Sequence, residues 1–128
     1  MSPPDPQVPV AFDVVTVVIL RRPVDAPDMP DDELDALQAR HLAYRRELVT
    51  TGVIAANGPF DEQSDPSYRG MSIFACDPSE AAQLSDGDPS VAAGRLTYDV
   101  MAWWVGAGSL GFPLTDRPVG HRRSMPDD

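Results

Sequence analysis

The chain contains no lysine. Its 128 residues carry 20 acidic side chains against 10 basic ones, all arginine, for a formal net charge of −10. A field of that sign repels phosphate backbones and anionic lipid, so neither nucleic acid nor a membrane is expected as a partner. Cysteine is almost as scarce. Cys76 stands alone, which excludes an intrachain disulfide and points to a reducing compartment. Long hydrophobic runs are also missing. The longest, from Val14 to Leu20, falls well short of the ~20 residues a spanning helix needs. No basic segment precedes it, since the chain opens Met1-Ser2-Pro3-Pro4-Asp5-Pro6, and a signal peptide is not expected. A cytoplasmic protein of one domain is the resulting expectation. A chain of this length buries roughly two-thirds of its unfolded surface and needs no metal or disulfide to fold.

Several motifs that carry chemistry are absent as well. There is no glycine-rich phosphate loop, no Gly-x-Ser-x-Gly elbow, no HExxH and no CxxC. A metal would have to draw on His41, His121, Cys76 and scattered carboxylates, and no second suitable ligand accompanies His41 for a heme. Neither metal nor cofactor is expected.

What the chain does have is proline at its start and two clear helical patterns. Pro3, Pro4, Pro6 and Pro9 make residues 1–11 an extended leader, because proline lacks an amide donor and fixes φ. Residues 106–128 begin Gly-Ala-Gly-Ser-Leu-Gly-Phe-Pro and turn polar, which reads as a surface arm whose Leu110, Phe112 and Leu114 are able to dock on the domain or a second subunit. The domain proper is residues 12–105. Four strands are expected at 12–20, 53–57, 70–76 and 95–104. A helix is predicted over 31–51, with Asp31, Asp32 and Glu33 at its positive end and Gly52 to stop it. A shorter helix begins at Asp77-Pro78 and closes at Asp86-Gly87, and Asp88-Pro89 opens one further turn.

The order β-α-β-β-α-β is that of a ferredoxin-like α+β fold, a four-stranded antiparallel sheet with two helices on one face. Strands one, three and four offer apolar residues to both faces, and a bare apolar face of several hundred Å2 is rarely left in water. A second copy of the sheet is the simplest cover, so a homodimeric α/β barrel is predicted.

The apolar stripe of the long helix runs Leu34, Leu37, position 41, Tyr44, Leu48. Position 41 is histidine. It is either a core side chain bonded to a backbone carbonyl or a general base at the floor of a pocket, a task that suits imidazole because its unperturbed pKa is ~6.5. A catalytic imidazole needs a carboxylate on its other nitrogen, and Asp88 is the candidate. An Asp before a Pro is also an ordinary N-cap, and one carboxylate can serve both roles. Around this pair, Tyr44 is a candidate pocket residue or core. Arg45 holds an anionic substrate or pairs with a surface acid. Asn57 orients a carbonyl or forms the turn before Gly58. Cys76 reads as a buried small hydrophobe, and Trp103 and Trp104 as core and dimer-face residues.

The run from Arg40 to Leu48, then Gly52 and Ala56-Asn57-Gly58-Pro59, resembles the YciI-related family. So do Gly70 to Cys76 and Asp88-Pro89-Ser90-Val91-Ala92-Ala93-Gly94 before an aromatic-ended strand. The resemblance covers residues 12–104. It implies a dimeric α/β barrel with His41 and Asp88 as a catalytic pair. It further implies chemistry like that of the few characterised members, the dehydrochlorination of chlorinated hydroxyquinols, or of the related muconolactone isomerases and small monooxygenases. The expected function is a cofactor-free lyase or isomerase acting on an oxygenated cyclic or aromatic metabolite, with Tyr44 and Asn57 contacting substrate. The alternative is a barrel that binds a small molecule, or regulates a partner protein, without chemistry.

Overall fold

A computed structural model describes residues 11–111. The sheet is built from β1 (Phe12–Arg21), β2 (Ile54–Pro59), β3 (Tyr68–Phe74) and β4 (Thr97–Gly106). It is joined by α1 (Asp31–Thr50), α2 (Pro78–Asp86) and the single turn α3 (Pro89–Ala92). All neighbouring strands are antiparallel in the order β2-β3-β1-β4, so the two βαβ halves interleave as the ferredoxin-like plan requires. No helix among the described residues is long and apolar enough to cross a membrane.

Local chemistry accounts for the helix boundaries. Gly52 adopts φ +81° and donates to the Val49 carbonyl, which ends α1 in a conformation a side chain would resist. Asp77 accepts the Glu80 amide at 2.8 Å and so caps α2, with Pro78 at the first helical position. The core lies between the helices and one face of the sheet, where Val18, Leu20, Phe74, Ile54 and Leu96 meet Leu48 and Ala81. Alternation along the strands sends Val15, Val17, Ile19, Met71, Ile73, Met101 and Trp103 to the other face. Met101 and Trp103 are exposed there.

Strand ends differ from the sequence reading. β2 continues through Gly58 and Pro59, which were expected to end it, because β2 is an edge strand and tolerates a residue with no amide donor. β3 starts and ends two residues earlier than expected: the ladder stops at Phe74, although the Ala75 amide still donates to the Val53 carbonyl at 2.8 Å before Asp77 caps α2. β4 runs on to Gly106, paired with Phe12. Trp104 is not a core residue: it is 64 % exposed and tilts against Phe12 with ring centroids 5.8 Å apart. The leader through Val10, together with Phe112, Leu114 and His121, lies outside the described residues.

Gly70 of β3 has no room for a side chain beside β2. A Cβ there would fall 2.8 Å from the Gly58 carbonyl oxygen and 3.3 Å from Pro59 Cα, both backbone atoms that cannot swing away. Gly70→Ala is therefore expected to destabilise the domain by ~1–3 kcal/mol, read from the midpoint of urea unfolding. An unchanged midpoint would show that the β2 edge is free to shift.

Candidate active site

Several chain segments that are distant in sequence converge beside the β2 edge. From α1 come Gln38, His41 and Leu42; from the β2–β3 side, Asn57, Pro59, Arg69 and Gly70; from the remaining segments, Arg22, Ser90 and Leu96. They enclose a cavity of about 280 Å3. That volume suits a single substituted ring and excludes a dinucleotide-sized ligand.

His41 is at this cavity because it occupies the helical stripe that faces the sheet. Its Nδ1 lies 2.9 and 2.8 Å from the two carboxylate oxygens of Asp88. A carboxylate only accepts, so Nδ1 is the nitrogen that carries the proton and donates. The opposite nitrogen, Nε2, has no hydrogen-bond partner among the described residues and is the one left for the cavity. Asp88 itself is fully buried. Its Oδ1 accepts the Ser90 amide at 2.9 Å, so the side chain caps α3 and holds the imidazole at once. The two roles that the Asp-Pro motif left open are thus both filled.

Behind the pair sits a residue whose burial the sequence did not reveal. Arg45, expected at the surface or on a substrate, is 1 % exposed. It follows His41 by one helical turn, and its Nε lies 3.7 Å from Asp88 Oδ2, an ion-pair distance. Its Nη2 donates to Ser72 Oγ at 2.9 Å, and the guanidinium carbon stands 5.7 Å from the Phe74 ring centroid, a cation–π distance. Ser72 Oγ donates in turn to Asn57 Oδ1 at 2.7 Å. A polar chain therefore runs from Asp88 through Arg45 and Ser72 to Asn57 at the cavity wall. Burial pulls the Arg45 guanidinium below its ordinary value, with the Asp88 charge opposing that shift. Arginine is seldom buried unless paired, which is why spacing alone gave no sign of it.

Asn57 does line the cavity, and its carbonyl oxygen is engaged by Ser72. Its NH2 group is left to offer a ligand as a donor. Tyr44 does not line this cavity. Its hydroxyl donates to the Leu84 carbonyl at 2.7 Å and fills the space over Gly87, fastening α1 to α2. Burial first, and then the Asp88 charge, push that phenol above its usual range. The expected substrate contact from Tyr44 is replaced by a structural one.

Cys76 is half-buried, and burial followed by the charges of Glu80 and Asp77 raises its thiol. A raised thiol stays protonated at neutral pH and is a poor nucleophile. Alkylation of Cys76 by iodoacetamide at pH 7 is accordingly expected to be slower than that of glutathione; a faster rate would reopen it as a reactive group. Among the described residues no cluster of three or more His, Cys, Asp or Glu could hold a metal ion.

No curated protein matches the chain. A solved structure, 5-chloro-2-hydroxyhydroquinone dehydrochlorinase from Burkholderia phenoliruptrix AC1100 in complex with 2,5-dihydroxybenzoquinone, is similar at 23% identity. The match covers 69% of this chain and 92% of that one, with a TM-score of 0.47. A family model describing the YCII-related domain matches residues 16–104, which span most of the sheet, all three helices and the His41–Asp88 pair, and the chain belongs to that family.

Proposed function

We propose that the protein is a small enzyme without cofactor, a lyase or isomerase acting on a single-ring oxygenated metabolite, with His41 as general base. The observation that carries this reading is the His41–Asp88 pair at the cavity wall: one ring nitrogen is held at 2.8 and 2.9 Å by a buried carboxylate, and the other is unpartnered. In this reading Nε2 takes a proton from a ring carbon made acidic by a neighbouring oxygen. The electron pair left behind either expels a leaving group such as chloride or moves to a conjugated position and is reprotonated. Asp88 keeps the imidazole in the useful tautomer and balances the imidazolium while it exists. Positioned proton transfer of this kind contributes ~10²–10⁴-fold.

The sign of the rival reading, a binding module without chemistry, would be a histidine capped by backbone and out of a ligand's reach. His41 is instead bonded to a side chain and lines the cavity. The test is a panel of hydroxyquinols, chlorinated hydroxyquinols and lactones, followed for turnover and for uptake of solvent deuterium into the ring. Turnover or exchange supports the enzyme; tight binding with neither supports the module.

The same reading places the protein in the cytoplasm as a homodimer. Its support is the apolar sheet face that no described helix covers, on which Met101 and Trp103 are 42 % and 40 % exposed. Light scattering at micromolar concentration is expected to give twice the 13.9 kDa chain mass, and a monomer would remove this element of the proposal.

A further inference from the structure

Asn57 is the chain's only asparagine, and the groups behind it decide which end of its amide is left for the cavity. Arg45 carries only donors. Its Nη2 lies 2.9 Å from Ser72 Oγ, so that oxygen accepts there and its one proton goes to the next group. That group is Asn57 Oδ1, 2.7 Å away. The reversed amide would aim two donors at Ser72, which is 1 % exposed, and leave the hydroxyl proton with no acceptor. An unmet buried polar group is costly, so the amide is held one way round. Its NH2 end has no hydrogen-bond partner among the described residues.

The backbone that brings Asn57 to this place is irregular. Ile54 pairs with Phe74 and Ala56 with Ile73, so Ala55 is an extra residue in β2. Strict alternation from Ile54, which packs toward the helices, would turn residue 57 to the opposite face. The bulge instead sets Asn57 across from Ser72, on the side of the sheet that α1 covers. Bulges re-aim side chains in this way beside functional sites. The polar chain has one more link. Arg45 Nε lies 3.7 Å from Oδ2 of Asp88, the carboxylate that holds His41 Nδ1. A single buried guanidinium thus stands behind two groups of one cavity, a base and a donor.

We infer that Ser72, gripped by Arg45, is a positioning residue that locks Asn57 as a donor to the substrate, and that the oxygen Asn57 receives is a ring carbonyl next to the carbon that His41 deprotonates. As that C–H bond breaks, an N–H bond forms at Nε2. The electron pair moves into the ring and leaves an enolate whose negative charge sits on the carbonyl oxygen. A donor fixed in advance stabilises that charge where it develops. The inference rests on the general-base proposal and narrows the substrate from oxygenated rings to those that bring a carbonyl, an oxygen that only accepts.

The test uses the intact protein labelled with 15N in asparagine alone, which shows one side-chain NH2 pair, titrated with cyclohex-2-enone and with cyclohexene. The enone is expected to move one of the two NH2 protons downfield, and cyclohexene neither. In Ser72→Ala that response is expected to vanish, because the amide is free to turn. Asn57→Ala is expected to bind the enone roughly three- to tenfold more weakly, the margin of one neutral hydrogen bond, with cyclohexene unaffected. Uptake of solvent deuterium into the enone is expected to slow about a hundredfold in Asn57→Ala, as on removal of one oxyanion donor. In Ser72→Ala it also slows, with the loss falling on kcat rather than KM. An enone that binds without moving either NH2 proton overturns the inference, as does no enone binding at millimolar concentration. So does a Ser72→Ala protein that keeps both the shift and the exchange rate. Failure of the general-base reading looks different. An NH2 shift abolished by Ser72→Ala, with no deuterium uptake in the wild type, would uphold the donor and end the base. Exchange that is lost in His41→Asn but indifferent to Asn57→Ala would do the reverse.

Discussion

Replacing Asp88 with alanine is expected to lower the folding free energy by ~3–5 kcal/mol, the usual cost of removing one partner of a buried ion pair. Three groups depend on that one carboxylate, which has no exposed surface: the Ser90 amide, the His41 Nδ1–H and the Arg45 guanidinium. Loss of the cap alone would cost ~1 kcal/mol. The larger share comes from Arg45. At 1 % exposure it would be left with Ser72 Oγ and the face of Phe74, neither of which bears a charge. Asp88→Asn retains an oxygen for the Ser90 amide and is expected to lose less than the alanine variant. Urea unfolding with a shared slope measures both. A loss below ~1 kcal/mol in Asp88→Ala would show that Arg45 finds water or another anion, and that the ion pair is dispensable to the fold.

The second large effect is on rate and should leave the fold nearly intact. His41→Asn is expected to lower kcat/KM by ~10²–10⁴-fold on any panel compound the wild type turns over. Asparagine can still donate an N–H to Asp88, so the buried carboxylate keeps a partner at this position. It has no basic nitrogen to turn toward the cavity. The His41 side chain is only 12% exposed but sits at the cavity wall rather than in the core, so a stability change within ~1 kcal/mol is expected. An undiminished rate would end the general-base reading.

These two residues show how far the sequence could be read. His41 was legible because helical period placed a titratable side chain among Leu34, Leu37, Tyr44 and Leu48. Asp88 was legible as a cap, since Asp-Pro is a local signal that the chain 47 residues earlier does not alter. Their contact follows from topology, which carries α3 back beside α1. Element order and type were legible for the same reason: each start and stop is written in a few adjacent residues. Arg45 was not, because its burial depends on Ser72 and Phe74 of β3, far along the chain. Tyr44 was misplaced for a related reason. Its position on the stripe is correct, but the Leu84 carbonyl that takes its hydroxyl could not be foreseen. The arginines at the cavity were hidden by register, since a single bulged residue decides which face Arg69 occupies.

The central claim is that Asp88 holds His41 as a base with Nε2 bare. It can be measured without knowing the substrate, by long-range 15N–1H correlation of the histidine side chains in alkaline solution, where imidazole is neutral. The chain has only two histidines, and a His121→Gln variant assigns the signals. The expected result is a His41 ring protonated at Nδ1 and unprotonated at Nε2, with that preference lost in Asp88→Asn. A wild-type His41 protonated at Nε2 would contradict it, because the nitrogen facing the cavity would then be a donor and unable to accept a proton.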